Sequence, residues 1–178
     1  MDVTDQLRLV GLVITDNLSW RANTDSMIRR AFAKLWILRR LKCLGADSNV
    51  LKLVYFRHVR SILEFGVPVW NGSITQLEVK KLERVQRIAV KLIYGNMEKY
   101  SKILDKLKME KLVDRRQRLC LNFAKKAVKH SKFNSWFKQE ENTNSGRVLY
   151  CETKSRGVKL QKSPIPYLTR LLNANNTN

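Results

Sequence analysis

The sequence predicts a mainly α protein: a bundle of about five helices, with a short N-terminal β-strand before it and an irregular C-terminal extension after it. Three observations carry this. Apolar residues recur every three or four positions in successive segments, a helix-start signature sits at Thr75–Glu78, and Gly or Pro closes the periodic runs. With 178 residues, 44% of them hydrophobic, the chain has enough apolar material for a core.

Leu7, Leu9, Gly11 and Val13 share one face of an extended chain, and Val10, Leu12 and Ile14 the other. Apolar residues on both faces suggest a buried strand, ended by the turn residues Thr15-Asp16-Asn17. One strand cannot satisfy its own backbone, and little in the remaining sequence offers a partner. Its sheet is therefore expected to lie upstream.

The first helix is expected from Ser19 or Thr24, both good N-caps, to Gly45. Ile28, Ala31, Leu35 and Leu38 form its stripe, which Phe32 and Trp36 widen. The second starts at Asp47 or Ser48, buries Leu51, Val54, Tyr55, His58, Val59, Ile62 and Phe65, and ends at Gly66 and Pro68. The third opens on the capping box Thr75-Gln76-Leu77-Glu78, carries Leu82, Val85, Ile88, Ala89, Leu92 and Ile93, and closes at Gly95. A short helix capped by Ser101 carries Ile103, Leu104 and Leu107. A longer one spans about 111–130 with Leu112, Leu119, Phe123 and Ala127 on its stripe. Residues 138–146 read as a polar linker and Arg147–Cys151 as a short strand. Pro164-Ile165-Pro166 leads into a last helical turn through Leu168, Leu171 and Leu172, with a disordered Asn-rich tail. The expected organisation is a β segment over 1–18, a helical domain over 19–137, and a linker with extension over 138–178.

Charge is the outlier. The chain holds 35 Lys and Arg against 15 Asp and Glu, a net +20. Residues 80–132 alone hold 17 basic and 5 acidic side chains. A polyanion relieves such self-repulsion, and nucleic acid is the first candidate through counterion release. An anionic membrane surface is the second, and a merely solvated basic surface the third. No apolar run approaches a membrane span, and the acidic, polar start is unlike a signal peptide. Cys43, Cys120 and Cys151 are scattered and odd in number. That argues against a disulfide framework or a Cys-based zinc site and for a reducing, intracellular setting, nucleus or cytoplasm.

No catalytic residue, metal ligand or cofactor is assigned. A two-metal phosphoryl-transfer site needs clustered carboxylates. Asp105, Glu110 and Asp114 have Lys and Arg beside them and read as solvated ion pairs. There is no Gly-Lys-Ser/Thr phosphate loop. His58 reads as packed in the core, and His130 as lying at a helix end. Trp20, Trp36 and Trp70 read as core residues, with Trp136 open between packing and base stacking.

The candidate phosphate contacts are basic rows on two helices. Lys80, Lys81, Arg84, Arg87 and Lys91 are spaced so that most share the face opposite Leu82, Val85 and Ile93. Arg115, Arg116 and Arg118 are followed by Lys125, Lys126 and Lys129. Acidic partners at i±4 are few, which favours phosphate contact over a self-compensated face. The pattern suggests backbone tracking without base readout.

Taken in order, the segments resemble the C-terminal region of non-LTR (LINE-type, Jockey/CR1-like) retrotransposon reverse transcriptases. The blocks that carry the resemblance are Gly11–Trp20, Trp36–Lys42, Tyr55 with Val59–Glu64 and Val67–Trp70, Leu82–Ala89 with Ile93 and Gly95, Arg115-Arg116 through Trp136-Phe137, and Ser163–Leu168 with Leu171–Asn173. Together they run from about residue 9 to 173. The family's palm, with its Phe-Ala-Asp-Asp-type carboxylates, has no counterpart here, nor does a nuclease domain. The resemblance implies a thumb-like helical element with its C-terminal extension, and a role for the two basic helices in gripping a template–primer duplex of RNA or DNA. It also implies no polymerase activity of its own. An alternative is a structural remnant or a module that docks onto a separate palm through the N-terminal strand.

Overall fold

In a computed structural model of the chain, the structure describes residues 5–95, 98–139, 148–152 and 157–177. The first four residues, most of the expected linker at 138–146, and Arg147 of the expected strand lie outside these. The protein is mainly α-helical. It divides into two compact units, Met1–Phe65 with Ile74–Arg115, and Gly66–Ser73 with Arg116–Asn178. Each unit gathers stretches far apart along the chain.

In the first unit, strands β1 (Gln6–Leu9) and β2 (Leu12–Thr15) pair antiparallel with Leu9 opposite Leu12. This corrects the expectation of one strand with an absent partner: the apolar run is two strands. The turn between them is Val10-Gly11, both at positive φ (47° and 85°), the conformation that matches the twist of a hairpin. A valine rarely adopts it, which is why the turn is not visible as one. Val13 is the buried residue of the hairpin, and its N–H donates to Asn23 Oδ1 at 3.1 Å. All four residues of β1 are exposed.

Helix α1 (Arg21–Cys43) buries Met27, Ala31, Leu35 and Leu38 along one stripe. Ser19 Oγ accepts from Arg21 N at 3.4 Å, whereas Thr24 lies inside the helix and donates to Trp20 O. Gly45, at φ +82°, follows its C-terminus. Phe32 and Trp36 do not widen the buried stripe. They are exposed, Trp36 by 60%, with the Arg40 guanidinium 5.8 Å from the indole.

Asp47 caps α2 (Ser48–Val54), accepting from Asn49 N and Val50 N. The helix continues through π turns at Tyr55–Arg60 into α3 (Ser61–Glu64). Leu51, Tyr55, Val59 and Leu63 are all buried at a uniform spacing of four. On a straight α-helix that stripe would drift by about 40° per step. The wider π turns absorb the drift. They also move His58 to solvent, so the expected core histidine is an exposed one.

Helix α5 (Gln76–Tyr94) starts on the capping box. Thr75 Oγ1 accepts from Glu78 N at 3.3 Å and Glu78 Oε2 accepts from Thr75 N at 2.7 Å. Its buried residues include Leu82, Val85, Ala89, Val90 and Ile93, packed chiefly against α1. Then come α6 (Tyr100–Lys106) and α7 (Leu112–Lys129), with the division between units falling after Arg115.

The second unit contains α4 (Val67–Trp70), α7 from Arg116 on, a 3-10 turn at Asn134–Trp136, α8 (Val158–Gln161) and α9 (Pro164–Thr177). Trp70, Arg116, Cys120, Ala124, Phe137, Tyr150, Leu168 and Leu172 are buried in it. Gly72 is needed where it stands, since a Cβ there would lie 2.5 Å from Tyr167 Cγ and 2.8 Å from Lys162 O. The expected last turn is a 14-residue helix that includes the Asn-rich tail as far as Thr177. Asparagine is a poor helix former, but these side chains are engaged. Asn173 accepts from Tyr150 N and donates to Tyr150 O, and Asn176 donates to Val148 O.

Among the described residues, no helix is long and apolar enough to cross a membrane.

Candidate nucleic-acid interface

At about 100° per residue, Lys80, Arg84, Arg87 and Lys91 fall within about 60° of one another around α5. That arc lies opposite Leu82, Val85, Ala89 and Ile93, and all four cations are exposed. Lys81 sits a quarter-turn away and is half-buried, and its Nζ meets Asp25 Oδ1 on α1 at 3.1 Å. The structure therefore ties Lys81 to α1 and leaves the other four as a row.

The row forms one wall of a groove of about 770 Å³, completed by Tyr100 at the start of α6 and by Lys111 and Val113 at the start of α7. Arg87 lies 5.1 Å from the Tyr100 ring centroid, a cation–π distance. Glu83 is the one acidic residue among those lining the groove. It holds the groove together, accepting from Tyr100 Oη at 2.6 Å, Leu112 N at 3.3 Å and Val113 N at 3.2 Å. It thereby satisfies donors at the N-terminus of α7 that no intrahelical carbonyl can reach. Behind it, Gln86 is buried. Its Nε2 donates to Tyr100 Oη and Glu110 O, and its Oε1 accepts from Tyr55 Oη at 2.7 Å. Burial raises the Tyr100 hydroxyl, and the hydrogen bond to Glu83 adds to the effect. Tyr100 stays protonated, with its donor committed to Glu83 and the rim of its ring in the groove.

Tyr100, Lys111 and Glu83 were not candidates from sequence. Nothing in the local pattern of α5, α6 or the 107–111 turn marks them, because only the packing of α5, α6 and the start of α7 brings them together.

The second basic set is dispersed. Arg115 is committed internally: its Nε lies 3.0 Å from Glu64 Oε1, which Arg60 also approaches at 3.2 Å, and its Nη1 lies 3.6 Å from Glu110. Arg116 is corrected from a phosphate contact to a core residue. It is 1% exposed, with its guanidinium 5.6 Å from the Trp70 ring centroid. A sequence signal for this existed, since Arg116, Cys120 and Ala124 are spaced by four on the buried face. Arg118, Lys125, Lys126 and Lys129 are exposed. Lys125 donates to Asn175 Oδ1 at 3.1 Å. Arg118, Lys125 and Lys129 lie opposite Arg116, Cys120 and Ala127 around the helix, with Lys126 at the flank.

Of the tryptophans, Trp70 is fully buried, Trp20 is half-buried, and Trp36 and Trp136 are exposed. His130 is exposed, its ring 4.9 Å from that of Phe133. Among the described residues, no three His, Cys, Asp or Glu side chains come together as a metal-binding group.

No family profile, curated protein or solved structure matches the chain.

Proposed function

We propose that the protein is a nucleic-acid-binding module derived from a retrotransposon reverse transcriptase, non-catalytic in itself, that holds the phosphate backbone of a template–primer duplex. The supporting observation is the α5 groove. Lys80, Arg84, Arg87, Lys91 and Lys111 line it, and its single carboxylate, Glu83, is turned to internal hydrogen bonds. The spacing along the helix suits successive phosphates, and the residues lining the groove include no Asn or Gln to pair with an adenine edge. The sequence resemblance supplies the origin and the duplex.

The test is fluorescence anisotropy with a labelled RNA–DNA heteroduplex over a range of salt. Neutralisation of about 0.9 counterion per phosphate contact by the five cations of the groove gives a slope of log K on log salt near −4.5. Affinity then falls roughly 500-fold between about 50 and about 200 mM salt. Changing the four α5 cations to Gln should reduce the slope by about 3.6. A flat salt dependence, or a slope untouched by those changes, refutes the proposal. A primer-extension assay with magnesium should give no product.

One observation favours a second reading, a module that docks onto a separate palm. Strand β1 is exposed throughout, with Leu7 at 58% and Leu9 at 54%, and an open apolar edge strand is a template for sheet extension. Recovery on an immobilised palm fragment should fall when Leu7 and Leu9 are changed to Asp. Equal recovery counts against docking.

A further inference from the structure

The second unit contains an apolar groove that the nucleic-acid reading does not use. Pro68 and Val69 of α4, Phe123 of α7, Trp136 of the 3-10 turn, Leu160 of α8 and Ile165 of α9 form its walls, in a volume of about 730 Å³. Its lining is almost entirely apolar. Val69, Phe123, Trp136 and Leu160 are 39%, 38%, 44% and 51% exposed, so the unit itself leaves them uncovered. Concavity and apolar lining are the properties of a pocket that takes protruding side chains.

The charge around the groove selects what those side chains belong to. The unit's residues 66–73 and 116–178 include 13 basic and 3 acidic side chains. Several of the basic ones sit beside the lining. Lys126 is one helical turn beyond Phe123, and Lys159 and Lys162 flank Leu160 and Ser163. A partner with apolar anchors and an acidic periphery would satisfy both features. Pro68, Pro164 and Pro166 lack backbone N–H groups, which leaves few donors on this wall for pairing with an extended strand. The groove thus suits the face of an amphipathic helix better than β-addition. A nucleobase stacked on Trp136 or Phe123 would hold its polar edges against a lining almost without donors or acceptors, and a membrane needs apolar groups that protrude, not a concave wall.

We propose that this groove docks an acidic amphipathic helix of a protein partner. Its apolar anchors enter between Val69, Phe123, Trp136 and Leu160, and its carboxylates meet Lys126, Lys159 and Lys162. This is independent of the α5 groove, which lies in the other unit.

The test uses the full chain and a fluorescein-labelled synthetic helical peptide with Leu and Phe anchors at i, i+3 and i+7 and Glu or Asp at the remaining positions. The expected result is saturable binding that weakens with salt. It should weaken at least about tenfold when Leu160→Glu or Val69→Ser removes an anchor contact. Lys159→Glu with Lys162→Glu should weaken it too, and Lys substituted for the peptide's acids should abolish it. Circular dichroism melts identify variants that remain folded; Leu160 and Val69 are exposed enough for this. Equal binding of a peptide whose anchors are Ser would show simple charge adhesion and overturn the proposal. So would no binding at low salt. So would a Leu160→Glu change that weakens single-stranded oligonucleotide or phosphatidylserine-vesicle binding and leaves peptide binding intact.

Discussion

Replacing Glu83 with Gln should lower stability and raise nucleic-acid affinity at once. The carboxylate accepts from Tyr100 Oη, Leu112 N and Val113 N. Hydrogen bonds to a charged acceptor contribute about 1.5–3 kcal/mol each, non-additively. A glutamine oxygen keeps one or two of them in neutral form, so the net loss is about 2 kcal/mol. For a chain of this length that lowers Tm by roughly 4–8 °C. The same change removes the one negative charge among the groove's lining residues. A unit charge about 8 Å from a phosphate is worth about 0.5 kcal/mol in water, or roughly twofold in affinity. With several phosphates in reach, heteroduplex binding at low salt should tighten about two- to fivefold. Differential scanning fluorimetry reads the first effect and anisotropy, well below the melting temperature, reads the second. A folded variant that binds more weakly would refute the groove as the contact surface. An unchanged Tm would refute Glu83 as the tie between α5 and α7.

Four further outcomes rest on named contacts and on burial. Gly72→Ala forces a Cβ against the Tyr167 ring and the Lys162 carbonyl and should cost about 1–3 kcal/mol in urea denaturation; an unmoved midpoint would refute the close packing of the turn after α4 against Tyr167 and Lys162. Thr75→Ala removes half of the capping box and should cost about 1 kcal/mol by the same measure, whereas no loss would mean that the box does not hold the start of α5. Burial pushes the Cys120 thiol from 9.0 up to about 12, and burial also raises Tyr55 and Tyr100 from 10.0. Groups raised in the folded state hold their stabilising contribution below the unfolded values and lose it as pH climbs past them. The urea midpoint should therefore fall between about pH 9 and pH 12. At pH 8 a disulfide reagent should modify the exposed Cys43 and Cys151 quickly and Cys120 only on unfolding. A pH-independent midpoint, or three equally fast thiols, would refute the burial of these groups.

Helix α5 was legible from the residues because every local signal agrees: the capping box, the apolar stripe, the closing Gly95 and the basic row opposite the stripe. The hairpin was not. Its turn uses Val10 at a φ that valine seldom adopts, so apolar alternation on both sides merged into one apparent strand. Hydrophobicity and spacing place Phe32, Trp36, His58 and Phe65 on buried faces, and all four are exposed. The π turns displace His58, and Phe32 and Trp36 lie about 100° and about 140° around α1 from Ala31, off its buried stripe.

The helical class, the concentration of positive charge and the α5 row are legible in the residues alone, because they depend on composition and on the geometry of single helices. Tertiary structure decided which cations stay outside. It withdrew Arg116 into the core beside Trp70 and committed Arg115 to Glu64. It also assembled the groove from Tyr100, Lys111 and Glu83. Helical periodicity fixes which residues share a face, but whether a face meets water, a carboxylate or an indole depends on segments far away in the chain.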